Sequence, residues 1–303
     1  ALQAGGAYIL TDNLSTGLII GGITVILIFI FSYIPLSGLV IAFQKFKPAL
    51  GLFGNQKWVG LDNFRYLLEM PNTMSVLRNT VVISLWKMVL GIAVPLTVAI
   101  LINEIRSSRF KRSVQTVIFM PHFLSWVILS GIFIQMLSPS TGLINDFVKL
   151  LGFEPIFFLG SNRWFRGTMI VTDIWKGFGF GTIVYLAAIT GVDPNLYESA
   201  AVDGAGKWKT YFYIYLPNSK VILATLALLK GSAVWNDYLW PLVMTNSVNM
   251  RTVQLALTMF RDESTVRWGP MMAAATLISL PMILLFLCAQ KYFVQGVVST
   301  GLK

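Results

Sequence analysis

Six stretches of about twenty mostly apolar residues dominate the chain, and about twenty is the length a helix needs to cross the hydrocarbon core of a bilayer. They run over about 16–43, 81–102, 117–137, 168–190, 221–244 and 271–293. A span must satisfy its backbone polar groups internally, so each stretch is read as a helix and the chain as an all-α membrane protein. Charged residues make up 12% of the 303, against roughly 25% in soluble domains. So little charge excludes an ordinary water-soluble enzyme, a disordered chain and a nucleic-acid binder. The net charge of +10 then belongs to loops and anionic headgroups. Residues 1–303 read as one transmembrane domain. The first stretch, broken by Pro35, has too long an apolar core and no basic lead-in for a cleaved signal, and so reads as a span.

An even number of spans puts both termini on one side. With the termini inside, the inner loops hold nine cations and the outer loops eleven, so the raw count does not decide. Density does: Arg106, Arg109, Lys111 and Arg112 crowd the short connection between the second and third stretches, where the positive-inside rule acts most strongly. Both termini are expected in the cytoplasm. On the outer side, Trp58–Leu68 reads as a short amphipathic helix capped by Asp62 and lying in the interface. One cysteine, Cys288, and one histidine, His122, leave no disulfide and no two-histidine metal site. Cys288 reads as packing, His122 as a structural residue beside Pro121.

The connection at 191–220 is too long for a turn, and its composition is not that of a flexible linker. Asp193-Pro194 supplies an N-cap acid and a proline at the first helical position. Leu196, Tyr197, Ala200 and Ala201 then recur at helical spacing, Asp203-Gly204 breaks the helix, and a second helical stretch ends at Pro217. From the residues alone, a structural or re-entrant hairpin and a protein-docking element fit equally well.

These residues resemble the cytoplasmic loop of bacterial ABC importer permeases, whose pattern is Glu-Ala-Ala, three residues, Gly, nine residues, Ile-x-Leu-Pro. Here it reads Glu198-Ser199-Ala200, then Gly204, then Ile214-Tyr215-Leu216-Pro217, with six of seven fixed positions kept and Ser199 the one departure. The family's usual second proline after Pro217 is absent, and Val221 stands near its place. The wider run Tyr197–Ala205 is similar to the carbohydrate branch related to the maltose permeases. Trp58-Val-Gly-Leu-Asp-Asn-Phe64, Phe110-Lys-Arg-Ser-Val-Gln-Thr116 and Pro121-His-Phe-Leu-Ser-Trp126 resemble the branch that imports polysaccharide fragments such as alginate and pectin oligosaccharides. From about residue 222 the chain resembles instead the shorter second permease of such importers, in Trp235-Asn-Asp-Tyr-Leu-Trp-Pro241, Met272-Ala-Ala-Ala275 and Gln290-Lys-Tyr-Phe-Val-Gln-Gly296.

The resemblance implies the type I importer fold, with six helices and a coupling helix between the fourth and fifth. It also implies the bacterial inner membrane, a second permease in a heterodimer, two ATP-binding subunits carrying ATP and Mg, and an external solute-binding protein. The coupling residues carried over are Glu198, Ser199, Ala200, Ala201, Asp203, Gly204, Ala205, Leu216 and Pro217. Glu198 would pair with a base of the ATPase or cap the loop; both roles fit. This chain has no phosphate cradle of its own. Gly177-Phe-Gly-Phe-Gly181 lacks the Gly-Lys-Ser/Thr that would follow and lies inside a span, so Gly177 and Gly181 read as a packing face.

A sugar needs hydrogen-bonding groups and aromatic faces. The fifth stretch offers Lys230, Trp235, Asn236, Asp237 and Tyr238, and the fourth offers Trp175, Lys176 and Tyr185. Trp235 and Trp240 also fit a belt of interfacial aromatics. Charges inside a span normally face a cavity or a partner. Lys230 either pairs with an acid, Asp173 being one candidate, or attracts an anionic substrate such as a uronate. Lys87 and Lys176 are expected to snorkel to the outer ends. The competing class, an ion-coupled secondary sugar carrier, needs more intramembrane carboxylates than Asp173 and Asp237, and usually a visible repeat.

Overall fold

The computed structural model describes residues 16–191, 206, 209, 213, 217, 220–245, 247–261 and 265–301. The chain falls into two compact units, one holding the segment up to Met70 with Phe260–Leu277, the other holding Pro71–Met259 and the chain from Ile278 on.

In the first unit, α1 (Thr16–Phe43) changes its winding near Pro35. Proline offers no N–H to the preceding turn, and the helix tightens into a 3-10 segment at Ile34–Phe43. Its apolar side chains as far as Leu36 are bare, Leu18 at 70% and Phe31 at 74% exposure, as a hydrocarbon solvent permits. Short strands β1 (Gln44–Lys45) and β2 (Lys57–Trp58) pair antiparallel, a small ladder that the all-α reading lacked. Helix α2 (Asp62–Glu69) follows, and here the expected cap is corrected: Leu61 holds the capping position with no side-chain bond, and Asp62 is the first helical residue. Its carboxylate therefore acts on the positive helix end rather than on one N–H. Asn63 Nδ2 donates to the carbonyls of Ala42 (2.8 Å) and Gln44 (3.1 Å), tying α2 to the end of α1. Ala42, Leu67, Phe260 and Ala273 form the buried core of this unit.

The second unit is built on α3 (Thr73–Asn103) and α7 (Phe165–Thr190), which pack along one another. Around them lie α4 (Ser108–Phe119), α5 (Trp126–Met136), α6 (Leu143–Leu150), α8 (Lys220–Trp235), α9 (Leu239–Met244), α10 (Val253–Ala256) and part of α11 (Trp268–Gly301). Helix α3 runs through Pro95 unbroken. Two expected spans are not single helices. The third is cut between α4 and α5, which meet at 97°. Pro121 enters a 3-10 turn at Met120–Phe123, and Ser125 restarts the chain by accepting from Ile128 N at 3.2 Å. The fifth is cut at 236–238, between α8 and α9. Pro241 has no N–H to give the Asp237 carbonyl, so the ladder cannot pass.

Among the described residues, three helices alone are long and apolar enough to cross a membrane: Thr16–Phe43, Thr73–Asn103 and Trp268–Cys288; the bent pair α4 and α5 passes together. Helix α7 carries Asp173 and Lys176, and Leu223–Trp235 is short. Cys288, expected to be packed, is exposed.

Buried asparagines pin the loops. Asn79 Nδ2 donates to the carbonyls of Asn249 (2.7 Å) and Arg251 (3.2 Å), and its Oδ1 accepts from Arg166 Nε at 2.9 Å. Asn145 Nδ2 donates to the carbonyls of Leu137, Ser138 and Ile156, while its Oδ1 accepts from Ile156 N at 2.7 Å. Asn145→Leu strands these backbone groups without room for water and should cost about 1–3 kcal/mol. The check is the unfolding midpoint in mixed micelles, together with faster amide exchange at Ile156.

Candidate translocation site

Four charged side chains meet where α3, α7 and the 230–237 segment converge. Lys87 Nζ lies 2.8 Å from Asp237 Oδ2 and 3.2 Å from Asp173 Oδ1. Lys230 Nζ lies 3.4 Å from Asp173 Oδ2. The Lys87 side chain is 1% exposed, Asp173 13%, Asp237 19% and Lys230 31%. Lys87 therefore does not snorkel, contrary to expectation. Two carboxylates hold it in the interior. Burying a lone ammonium costs far more than burying one with two partners, so the cluster is a single electrostatic unit. Of the two readings open for Lys230, pairing with Asp173 is what the geometry shows.

The local sequence explains the meeting. Asp173 and Lys176 sit three apart on α7, on neighbouring faces. Lys176 does not snorkel either: its Nζ donates to the His122 carbonyl at 3.0 Å and lies 5.1 Å from the Trp126 ring centroid. Asp237 reaches Lys87 because the chain has left its helix there. His122 stacks on Phe180 at 4.6 Å and on Phe119 at 5.7 Å, which fits the structural role expected of it.

Beside the cluster opens a cavity of about 340 Å³, walled by Asp173, Lys230, His122, Tyr185 and the glycines Gly177 and Gly181 among others. Gly181 does serve packing, since a Cβ there would stand 3.0 Å from the Pro95 ring. The closest approach, however, is at Gly179, where a Cβ would run into the Ile118 carbonyl of α4. A second cavity of about 600 Å³ is almost wholly apolar and is lined by Phe133, Phe158, Trp164, Val171 and Trp175.

The proposed sugar contacts thus separate. Lys230 and Asp237 belong to the charged cluster, Tyr185 lines the cavity beside it, and Lys176 reaches the carbonyl of His122, another residue of that lining. Trp175 faces the apolar cavity and meets Phe133 edge-on at 5.6 Å. Trp235 is spent on the fold, its Nε1 donating to Ile278 O at 3.0 Å. Asn236 is exposed and accepts from Gln254 Nε2, and Tyr238 is 40% exposed. Trp240 is no interfacial aromatic: it is fully buried, stacked on Trp126 at 4.1 Å. Lys87 and Asp173 were not singled out as site residues from the sequence; the signal was the charge inside two apolar stretches.

Residues 91–299, more than two thirds of the chain, match the family described as binding-protein-dependent transport system inner membrane component. The chain belongs to that family. It is a membrane transport subunit rather than an enzyme. The permease is 40% identical over 227 residues to the polygalacturonan/rhamnogalacturonan transport system permease protein YteP of Bacillus subtilis, covering 75% of this chain and 70% of that one. It is 38% identical to protein LplB of the same organism, over 73% and 69% of the two chains. Among solved structures it is similar to a bacterial ABC transporter involved in import of the acidic polysaccharide alginate, with TM-score 0.79 and 29% identity over 94% of this chain and 98% of that one. It is similar also to the alginate transporter in complex with alginate pentasaccharide-bound periplasmic protein, TM-score 0.77 and 29% identity, over 92% and 93%. The permease is therefore a mostly helical chain of the ABC permease fold, related to sugar and oligosaccharide importers. Of the residues expected to couple to an ATPase, Glu198, Ser199, Ala200, Ala201, Asp203, Gly204, Ala205 and Leu216 lie outside the described residues, and Pro217 is exposed.

Proposed function

We propose that this permease is the membrane subunit of an ATP-driven importer that receives an oligosaccharide from an extracytoplasmic solute-binding protein and releases it into the cytoplasm by alternating access. The observation that carries the reading is the family match over 91–299, whose description names binding-protein-dependent transport. The relatives' names point to a polysaccharide fragment as cargo, with the acidic, alginate- or pectin-like kind foremost. In this reading 1–303 is one permease domain with six spans and both termini inside the cell, in a bacterial inner membrane. The broken third and fifth stretches then cross as bent segments, their freed backbone groups turned toward protein or cavity.

The partners are a second, non-identical permease and two ATP-binding subunits, which carry ATP and Mg. Coupling runs through 198–217. When the ATPase dimer closes, the groove holding this loop moves. Ala200, Ala201 and Ala205 permit close approach, Gly204 lets the chain turn, and Glu198 with Asp203 supplies polar contacts. The short helix carries the motion to the segments on either side, which rock as rigid bodies. Lys176, Tyr185, Lys230 and Asp237 lie on the cargo's route, with Trp175 offering an aromatic face nearby.

The test is affinity capture of the permease from detergent, followed by ATPase assay with oligosaccharide-loaded and empty binding protein. An ATPase that copurifies and is stimulated by the loaded form supports the reading. Capture without any ATP-hydrolysing partner overturns it.

A further inference from the structure

We infer that Lys230 is an exchangeable counter-ion, paired with Asp173 while the 340 Å³ cavity is empty and transferred to a carboxylate of an acidic sugar when the cavity is filled. The inference rests on the importer reading and specifies its cargo at one atom.

The cavity has the size of a small-molecule site, about 300–1,000 Å³ for such sites. Phe178, Phe180 and Tyr185 line it on the aromatic side, and aromatic groups suit the C–H surface of a sugar ring. Its polar wall is Asp173 and Lys230.

Charge balance then selects the ligand. Among the described residues, three ammoniums, Lys87, Lys176 and Lys230, stand in this region against two carboxylates, Asp173 and Asp237. Lys176 has a carbonyl and an aromatic ring about it, and among the described residues no carboxylate lies within ion-pair distance of it. Among those residues one positive charge is in excess beside the buried pair of Lys87 and Asp173, where uncompensated charge is costly. A carboxylate entering the cavity balances it, whereas a neutral sugar leaves it unbalanced.

The distances say which lysine moves. Lys87 is locked by two carboxylates at 2.8 and 3.2 Å and is 1% exposed. Lys230 has one carboxylate at 3.4 Å, is 31% exposed and lines the cavity. Its departure leaves Asp173 still compensated, because Lys87 holds the other oxygen. A lane is kept for the side chain as well: at Gly91 a Cβ would stand 2.8 Å from Lys230 Cε.

The experiment uses the whole complex in nanodiscs, without binding protein, so that only the membrane site is read. Equilibrium binding is measured for trigalacturonate and for its carboxyl-reduced, neutral counterpart. The wild type should bind the acid at least tenfold more tightly. Lys230→Met should abolish the difference, Lys230→Arg should keep most of it, and Lys176→Gln should reduce it. Lys230→Arg also shows that the site assembles when the charge is present. Equal binding of the two sugars by the wild type, or an unchanged preference in Lys230→Met, overturns the inference. If binding protein loaded with sugar stimulates ATP hydrolysis in that same complex, the importer reading stands regardless. A complex that prefers the acid through Lys230 yet shows no stimulation supports the lysine's role and overturns the importer reading.

Discussion

Lys87→Met should lower the stability of the permease by about 3–5 kcal/mol, the usual cost of removing one partner from a buried ion pair. Methionine fills nearly the same volume, so the loss is electrostatic. Asp237 is left without the ammonium at 2.8 Å, and Asp173 keeps only Lys230 at 3.4 Å. Adding Asp237→Asn to Lys87→Met should recover a large part of the loss, because the remaining Lys230–Asp173 pair is balanced. Unfolding midpoints in mixed micelles, read by tryptophan fluorescence, check both. An unchanged midpoint in Lys87→Met would mean that water, not two carboxylates, solvates this lysine.

Gly204→Val should abolish coupled uptake, reducing it about tenfold or more, equivalent to at least about 1.4 kcal/mol of lost coupling. A β-branched residue at the elbow resists the turn that glycine takes freely and holds the loop away from its groove. Ser199→Ala, which restores the family's usual residue, should leave uptake within about twofold, because one small side chain replaces another. Uptake of labelled oligosaccharide by reconstituted complex measures both. Full uptake by Gly204→Val would remove the coupling role from 198–217.

The architecture was legible in the sequence where a stretch keeps its helix from end to end. The stretches at 16–43, 81–102 and 271–293 appear as Thr16–Phe43, Thr73–Asn103 and Trp268–Gly301. Hydropathy does not register a proline's missing N–H, so it passed over the breaks at Pro121–Ser125 and at 236–238. The family was legible because the motif at 198–217 is local, a set of residue types at fixed spacing. The charged site was half legible. Asp173, Lys230 and Asp237 stood out as charges in apolar surroundings, but which acid meets which base depends on contacts such as Lys87–Asp237, 150 residues apart. Snorkelling was the default for Lys87 because sequence depth gives no sign of a partner arriving from another helix. Composition likewise gave no sign of what Trp235 and Trp240 touch. Trp235 is bonded to Ile278, and Trp240, which fitted an interfacial belt, is core.

The most direct test of the account is uptake into proteoliposomes containing this permease, its partner permease and the ATPases. Loaded binding protein is placed outside, ATP and Mg inside, and ionophores collapse every ion gradient. The account predicts oligosaccharide accumulation that requires enclosed ATP and is indifferent to the ionophores. Accumulation that persists without ATP and vanishes with the gradient would contradict it and make the chain an ion-coupled carrier.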